Sequence, residues 1–213
     1  WSSDVCSSDL GKLMAIHCDI DDFDQANWIP QIRTTLKDEA DQGKDACSAQ
    51  TVKLVDTVSY SNLIEGKSYT VTGTLYDRTT GQPVPDDSGS RITAETGFIC
   101  EKTSGSIDVV FEFSGVSLAG RSVTAFEDLF QESKKVAVHA DVNDEDQTVY
   151  LPKIETSLTD AGSGLHNSLY ASSVSLTDHV DYDNLIVGQK YVVKGMLMNK
   201  AEAATIKKLI PYK

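Results

Sequence analysis

The chain has 213 residues, and its 32 acidic and 19 basic side chains give a net charge of −13. A chain of this length holds one or two domains, and it lacks the clustered Lys and Arg that bind nucleic acids and anionic membranes, so we expect no nucleic-acid partner. No apolar run approaches the length of a membrane span and no charged-then-apolar signal segment begins the chain, so we expect no membrane insertion by these residues.

The first ten residues and the cysteines contribute nothing to the predicted fold. Residues 1–10 (WSSDVCSSDL) show no periodicity, and we expect them to be a non-native leader. The cysteines have no C-x-x-C spacing, and Ala140 replaces Cys18 in the repeat described next, so we expect isolated thiols rather than a disulfide or metal set. The four cysteines are Cys6, Cys18, Cys47 and Cys100.

A pattern of a histidine, an acidic turn, a glutamine and a proline occurs twice, 122 residues apart. Each copy predicts a strand, a tight turn and a second short strand that the proline ends. The match continues beyond the proline, as far as Leu75 and Leu197, so the chain holds tandem repeats. The first copy contains His17, Asp22, Gln25 and Pro30, and the second contains His139, Asp144, Gln147 and Pro152.

The repeat pattern divides the chain into one complete and two partial units. Residues 11–30 are the closing strands of a preceding repeat, and residues 31–152 are a complete repeat. Residues 153–199 are the opening strands of a following repeat that breaks off. The tail, residues 200–213, does not match the repeat and is locally basic.

The complete repeat is predicted to be all-β. Apolar side chains alternate at Val52, Leu54, Val58 and Tyr60, and turn clusters rich in Gly, Pro, Asp and Ser separate such segments. No segment shows a long helical stripe. Short strands at this spacing, each with one buried face, predict an immunoglobulin-like antiparallel β-sandwich.

Several polar side chains fall on the predicted core faces. Thr34 lies in line with apolar neighbours on its strand, Asp56 on the next, and Glu127 and Gln147 on later strands, although Phe126 competes with Glu127 for the inner face. A buried ionised carboxylate without a cation is costly, whereas two carboxyls can share one proton.

With His139, these residues supply a hydroxyl nucleophile, a base, an amide electrophile and a protonated acid, the groups that acyl transfer needs. Each also has an ordinary structural explanation, since Thr favours strands, Asp caps turns and a lone His is commonly a surface residue. Spacing alone leaves both interpretations open.

At these residues the sequence resembles a known family, the VaFE-repeat or Thr–Gln ester-bond domains of Gram-positive surface adhesins. The resemblance covers residues 11–199. The segments that carry it include Ile32-x-Thr34-x-Leu36-x-Asp38, Val123-Thr124-Ala125-Phe126-Glu127 and His139-Ala140-Asp141, together with Gln147-Thr148-Val149.

The resemblance implies that the Thr34 hydroxyl attacks the side-chain amide of Gln147 and releases ammonia, with His139 as the base. It implies that Asp56 and Glu127 hold the amide carbonyl and stabilise the oxyanion. Asp144 would orient His139 or the glutamine strand. The core-facing position favours Thr34 over Thr35 as the nucleophile.

The same resemblance implies one ester, formed once, without a cofactor or turnover. The flanking copies are incomplete: the first has His17, Asp22 and Gln25 but no Thr, and the third has Thr156 and Asp178 but no Gln. It also implies an extracellular, cell-wall-anchored adhesin stalk. The partners would be the neighbouring repeats, and a host or surface ligand bound by a domain absent from this chain.

Four alternatives compete with this prediction. The first is a β-sandwich binding module without a cross-link, and the second is a Lys–Asn isopeptide domain, for which no lysine lies on a core face. The third is a calcium site, which would lack the Gly and distal Glu of an EF-hand. The fourth is a glycoside hydrolase using the Asp/Glu pair. The calcium ligands would be Asp141, Asn143, Asp144 and Asp146.

Overall fold

The computed structural model of the protein describes residues 4–7, 13–17 and 21–198. The tail at 200–213, most of the leader and Cys18 lie outside the described residues, as do the side chains of Cys6 and His17. The twelve strands are β1 (Asp4–Ser7), β2 (Leu13–His17), β3 (Gln31–Asp38), β4 (Val52–Ser61), β5 (Ser68–Asp77), β6 (Thr93–Ile99), β7 (Gly105–Phe113), β8 (Arg121–Gln131), β9 (Lys134–His139), β10 (Thr148–Leu151), β11 (Lys153–Asp160) and β12 (Leu176–Asp183).

Short 3₁₀ helices at Phe23–Gln25, Val116–Leu118 and Glu145–Gln147 complete the secondary structure. None of the helices in the described ranges is long and apolar enough to cross a membrane.

Two antiparallel sheets form the sandwich between residues 31 and 151. One has the order β3–β4–β7, and the other has the order β10–β8–β5–β6, with β9 also paired to β8. Their inner faces contribute to one hydrophobic core that includes Leu36, Phe111, Val71 and Leu129. The predicted all-β immunoglobulin-like sandwich with tandem repeats is confirmed.

The close approach of the two sheets requires a glycine on β5. A Cβ built on Gly73 would lie 2.5 Å from Cζ of Phe111, a side chain of the opposite sheet. Any larger residue at position 73 would push Phe111 out of the core, so the glycine sets the distance between the sheets.

Burial follows the alternation read from the sequence. Thr34 and Asp56 lie on the buried faces of β3 and β4. Glu127 is buried on β8, while Phe126 points to the outer face, where its ring stacks on Tyr76 with 4.2 Å between centroids. The competition between Phe126 and Glu127 is therefore resolved in favour of the carboxylate.

The prediction that Gln147 is a strand residue is wrong, because it is the last residue of the third 3₁₀ helix. The side chain of Asp144 accepts a hydrogen bond from the Asp146 amide (2.9 Å), and its carbonyl accepts from the Gln147 amide (3.2 Å). These bonds wind the chain into a turn before β10 begins, and the turn directs Gln147 inward.

This turn belongs to an excursion from the edge of the sheet. β9 pairs with Glu127–Gln131 of β8, and β10 pairs with Arg121–Thr124 of the same strand. The chain between β9 and β10, residues 140–147, therefore leaves the β8 edge and returns to it. Because β3 of the other sheet packs against β9, β10 and the turn, the excursion brings Gln147 to the Thr34 strand.

The partial third repeat reproduces the register of the middle one. Thr156 pairs with Val180 and Leu158 with Asp178, as Thr34 pairs with Val58 and Leu36 with Asp56. Thr156 and Asp178 are exposed, however, since among the described residues no second sheet covers the β11–β12 hairpin.

The partial first repeat reproduces the turn. Asp22 accepts a hydrogen bond from the Asp24 amide (2.9 Å), just as Asp144 accepts from Asp146. Gln25 ends the first 3₁₀ helix as Gln147 ends the third, but it is exposed. The local structure of each repeat is thus written locally, whereas burial depends on the whole sandwich.

An asparagine marks both junctions between repeats. The Asn184 amide nitrogen donates to the carbonyls of Arg121 (2.6 Å) and Leu151 (3.4 Å), and its oxygen accepts from the Ser122 hydroxyl (2.8 Å). At the preceding junction, the equivalent Asn62 donates to the Ile29 carbonyl (3.2 Å). The same contact therefore joins consecutive repeats twice.

Candidate cross-linking site

Four polar side chains meet between the two sheets, at the edge where the excursion crosses from β9 to β10. Thr34 from β3 is 6% exposed, Asp56 from β4 is 0% exposed, Glu127 from β8 is 1% exposed, and Gln147 from the turn is 0% exposed. Polar groups at this depth must satisfy one another, because water cannot.

Asp56 and Glu127 form a carboxyl pair at the centre of the site. Asp56 Oδ1 accepts a hydrogen bond from Gln147 Nε2 (3.3 Å). Asp56 Oδ2 and Glu127 Oε1 are both buried, and among the described residues neither has a donor other than a proton shared between the two carboxyls. One such proton satisfies both oxygens.

Burial also determines which of the two acids carries that proton. Desolvation raises the pKa of Asp56, and hydrogen bonds from Glu127 and Gln147 oppose the rise. Desolvation raises the pKa of Glu127 to about 10, with further increases from the charge of Asp56 and from the hydrogen bond to it. At neutral pH Glu127 is therefore the protonated acid and donates to Asp56.

Thr34 and His139 lie on the outer side of this pair. Thr34 Oγ1 donates to Glu127 Oε2 (3.1 Å) and lies 3.4 Å from His139 Nδ1. The opposite ring nitrogen, Nε2, is 3.3 Å from Asp144 Oδ2. A carboxylate there favours the tautomer with its hydrogen on Nε2, which leaves Nδ1 free to accept the Thr34 proton.

Asp144 therefore contacts both parts of the predicted site. One carboxylate oxygen faces the His139 ring, and the other caps the turn that carries Gln147. Its carbonyl also accepts from the Thr148 hydroxyl (2.7 Å), which fixes the residue after Gln147. Of the two candidate threonines, Thr34 faces the pair, while Thr35 lies on the other face of β3, opposite Thr57.

A cleft leads from the surface to the histidine side of the site. It has a volume of about 600 Å³ and lies between β3 and β9. The His139 side chain is 22% exposed and that of Asp144 is 27% exposed, whereas Gln147 is sealed from solvent. A proton or a small product thus has a route out beside the imidazole.

The structure adds residues that the sequence did not reveal. Lys44, in the loop between β3 and β4, donates from Nζ to the carbonyls of Leu36 and Asp146, each at 2.6 Å. Arg78 binds Glu145, the first residue of the same turn, through both guanidinium nitrogens (3.1 and 2.5 Å). Loop residues have no periodicity, and the only sequence signal was that position 166, the counterpart of Lys44, is His in the third repeat.

The remaining predicted residues do not assemble into a second site. Gln25, Thr156 and Asp178 are exposed and lie in separate partial repeats. Asp141 is used in a turn, where it accepts from the Asn143 amide (2.9 Å). Within residues that the structure describes, no group of three or more His, Cys, Asp or Glu is arranged to hold a metal ion.

Comparisons with solved structures return bacterial adhesins at low identity. The chain is similar to a bacterial adhesin from Mobiluncus mulieris containing intramolecular disulfide, isopeptide and ester bond cross-links. In one crystal form the identity is 16% and the TM-score 0.46, over 72% of this chain and 75% of that one. In a second form the values are 13% and 0.45, over 73% and 74%.

A putative β-galactosidase from Bacteroides fragilis is 11% identical with a TM-score of 0.40, over 59% of this chain and 18% of that one. No curated protein sequence matches the chain significantly.

The family comparison is more decisive. The model of the T-Q ester bond containing domain matches residues 30–151 and again residues 152–210, which together are most of the chain. The two matches cover the middle repeat and the partial repeat that follows it. The chain belongs to the family of T-Q ester bond containing domains.

Proposed function

We propose that the middle repeat closes an intramolecular ester between Thr34 and Gln147, and that the protein is a structural, self-cross-linked part of a bacterial surface adhesin. One observation carries the proposal. A threonine hydroxyl and a glutamine amide are both buried against one acid pair that holds a single proton, with a histidine at the hydroxyl.

The reaction follows from these contacts. His139 Nδ1 accepts the Thr34 proton, and Thr34 Oγ1 attacks the side-chain carbon of Gln147. A half-turn of the amide exchanges its two atoms, so that Oε1, which otherwise has no donor among the described residues, faces the proton of the acid pair. That proton stabilises the charge that develops on the oxygen in the transition state.

The bond to the amide nitrogen then breaks. The nitrogen takes the proton held by His139 and leaves as ammonia, while the acyl group stays on Thr34. One C–O bond forms, one C–N bond breaks and no other reactant is consumed. Each molecule reacts once, so the protein is a substrate of its own chemistry and not a turnover enzyme.

The position of the bond suits a load-bearing domain. Thr34 lies in β3, the first strand of the repeat, and Gln147 directly precedes β10, the last. Force applied to the two ends of the repeat would pass through the ester and bypass the hydrogen bonds of the sandwich. The sequence resemblance to adhesin stalk domains supports an extracellular, cell-wall-anchored location, with a ligand bound by another domain.

We propose the same division of the chain as the repeat pattern gives. Residues 31–152 would be the complete unit, between the closing strands at 11–30 and the opening strands at 153–199. The two family matches support a boundary near residue 152. Only the middle unit combines Thr, Gln, His and both acids, so one ester is expected.

Intact mass tests the proposal. The purified chain is expected to be lighter than its sequence by one ammonia, and the Thr34→Ala variant is expected to have its full sequence mass. Thr35→Ala is the matched control and should retain the loss. Fragment spectra should join the Thr34 and Gln147 peptides, and a wild-type chain of full sequence mass would overturn the proposal.

Chemical cleavage separates an ester from an isopeptide, which loses the same mass. Hydroxylamine or alkali is expected to open the link between Thr34 and Gln147, because both reagents cleave esters and spare amides. Lys44, the half-buried lysine nearest the site, has its amine on two carbonyls rather than on an asparagine side chain. Resistance to hydroxylamine would favour the isopeptide.

A further inference from the structure

We propose that Lys44 is a positioning residue for the cross-link, because its ammonium ties the nucleophile strand to the turn that carries the amide. Lys44 Nζ donates to the Leu36 carbonyl and to the Asp146 carbonyl, each at 2.6 Å. Leu36 lies two residues after Thr34 on β3, and Asp146 directly precedes Gln147. This inference rests on the proposed ester.

The root of this side chain is itself fixed to the closing strand. The Tyr150 amide donates to the Lys44 carbonyl (2.8 Å), and the Ala46 amide donates to the Tyr150 carbonyl (2.8 Å). The loop therefore pairs with β10 through its backbone while the ammonium reaches β3 and the turn. One residue connects the three segments that must be aligned before any covalent bond exists.

The electrostatic environment agrees with this position. Burial lowers the pKa of Lys44, and the neighbouring Asp146 charge opposes that change. The ammonium charge in turn favours the ionised form of Asp56. Lys44 thus helps to keep Asp56 as the anion and Glu127 as the protonated member of the pair, without contacting the reacting atoms.

The same contact recurs in the next repeat with a different side chain. His166 is the counterpart of Lys44, 122 residues later, and its Nδ1 lies 2.8 Å from the Leu158 carbonyl, the counterpart of Leu36. A carbonyl can only accept, so Nδ1 donates. Two repeats therefore place a donor on the same carbonyl of the strand that bears the threonine.

The test measures how fast ammonia is lost. Chains are made by cell-free translation, synthesis is stopped with an inhibitor, and samples quenched in denaturant at intervals are analysed by intact mass. The chains are the wild type, Lys44→Met and Lys44→Arg. Lys67→Met, an exposed lysine in the loop before β5, is the control with the same charge change.

We expect Lys44→Met to form the ester about 10- to 100-fold more slowly than wild type, since small misplacements of reacting groups have effects of this size. Lys67→Met should react at the wild-type rate. Lys44→Arg should recover much of the rate, because a guanidinium can also donate to two carbonyls. Near-UV circular dichroism identifies chains that are folded.

Two results would separate the possible failures. A wild-type chain that loses no ammonia would overturn the proposed ester itself. Wild-type loss together with an equal rate in folded Lys44→Met would overturn only the role of Lys44. Should Lys44→Met fail to fold, the folded Lys44→Arg variant decides: a rate below that of Lys67→Met supports positioning through two fitted contacts, and an unchanged rate with free Nζ contacts by structure determination refutes it.

Discussion

Removing the nucleophile should cost more stability than a single side chain can explain. The ester would close a loop of more than a hundred residues between Thr34 and Gln147. On the chain-entropy treatment used for disulfides, such a closure stabilises the folded state by about 4–5 kcal/mol. In Thr34→Ala this contribution disappears, because the unfolded chain regains its freedom.

The same substitution has a local cost. Thr34 donates to Glu127 Oε2, which is buried, and the alanine leaves that oxygen without this donor. An unsatisfied buried acceptor costs about 1–3 kcal/mol. The free energy of unfolding of Thr34→Ala should therefore fall by about 5–8 kcal/mol in total. His139→Gln keeps the threonine, and should lose only about 4–5 kcal/mol if the ester does not form.

Urea titration at equilibrium measures both variants. The cross-linked wild type should unfold at a higher urea concentration and with a smaller dependence on urea, because its unfolded state stays more compact. Thr34→Ser, which keeps a hydroxyl, should retain the cross-link and most of the stability. Equal midpoints for wild type, Thr34→Ala and His139→Gln would refute the reasoning.

Three further predictions address the acid pair and the junction. Glu127→Gln should slow ammonia loss at least tenfold while the fold persists, since an amide is a poorer proton donor to the oxyanion; intact mass against time measures it. Stability of Thr34→Ala should fall as pH rises from about 4.5 towards 10, because folding raises the pKa of Glu127 and the folded state then holds one more proton than the unfolded state. Adding Glu127→Gln should flatten that dependence in urea titrations, and an unchanged slope would contradict it. Asn184→Ala should speed tryptic cleavage after Lys153 several-fold, because the side chain holds the β11–β12 hairpin to β8; Asn167→Ala, in an exposed loop, should cleave at the wild-type rate.

Alternation was sufficient to predict which side chains face the core. On β3, β4 and β8 a period of two identifies the inner face, and Thr34, Asp56 and Glu127 stand out there as polar exceptions. The offset of 122 residues gave the repeat. These features are predictable because strand geometry is local, so one residue in two must share a face.

Other features depended on contacts that have no period. Gln147 lies in a 3₁₀ helix because Asp144 caps it, and capping wins over the strand alternation that continues from Val149. Lys44 comes from a loop, and its two carbonyl partners are distant from each other in sequence. Neither contact can be derived from a pattern within one strand.

The third repeat indicates what makes these residues reactive. Thr156 and Asp178 have the pairing of Thr34 and Asp56, yet both are exposed on a two-stranded hairpin. In water a carboxyl loses its proton well below neutral pH, so the same residues there hold no shared proton. Only when β8 covers β4 does burial raise the pKa of Glu127 and leave a neutral acid beside the amide. On the proposed mechanism, the ester therefore forms after the sandwich closes, and cross-linking records that folding has been completed.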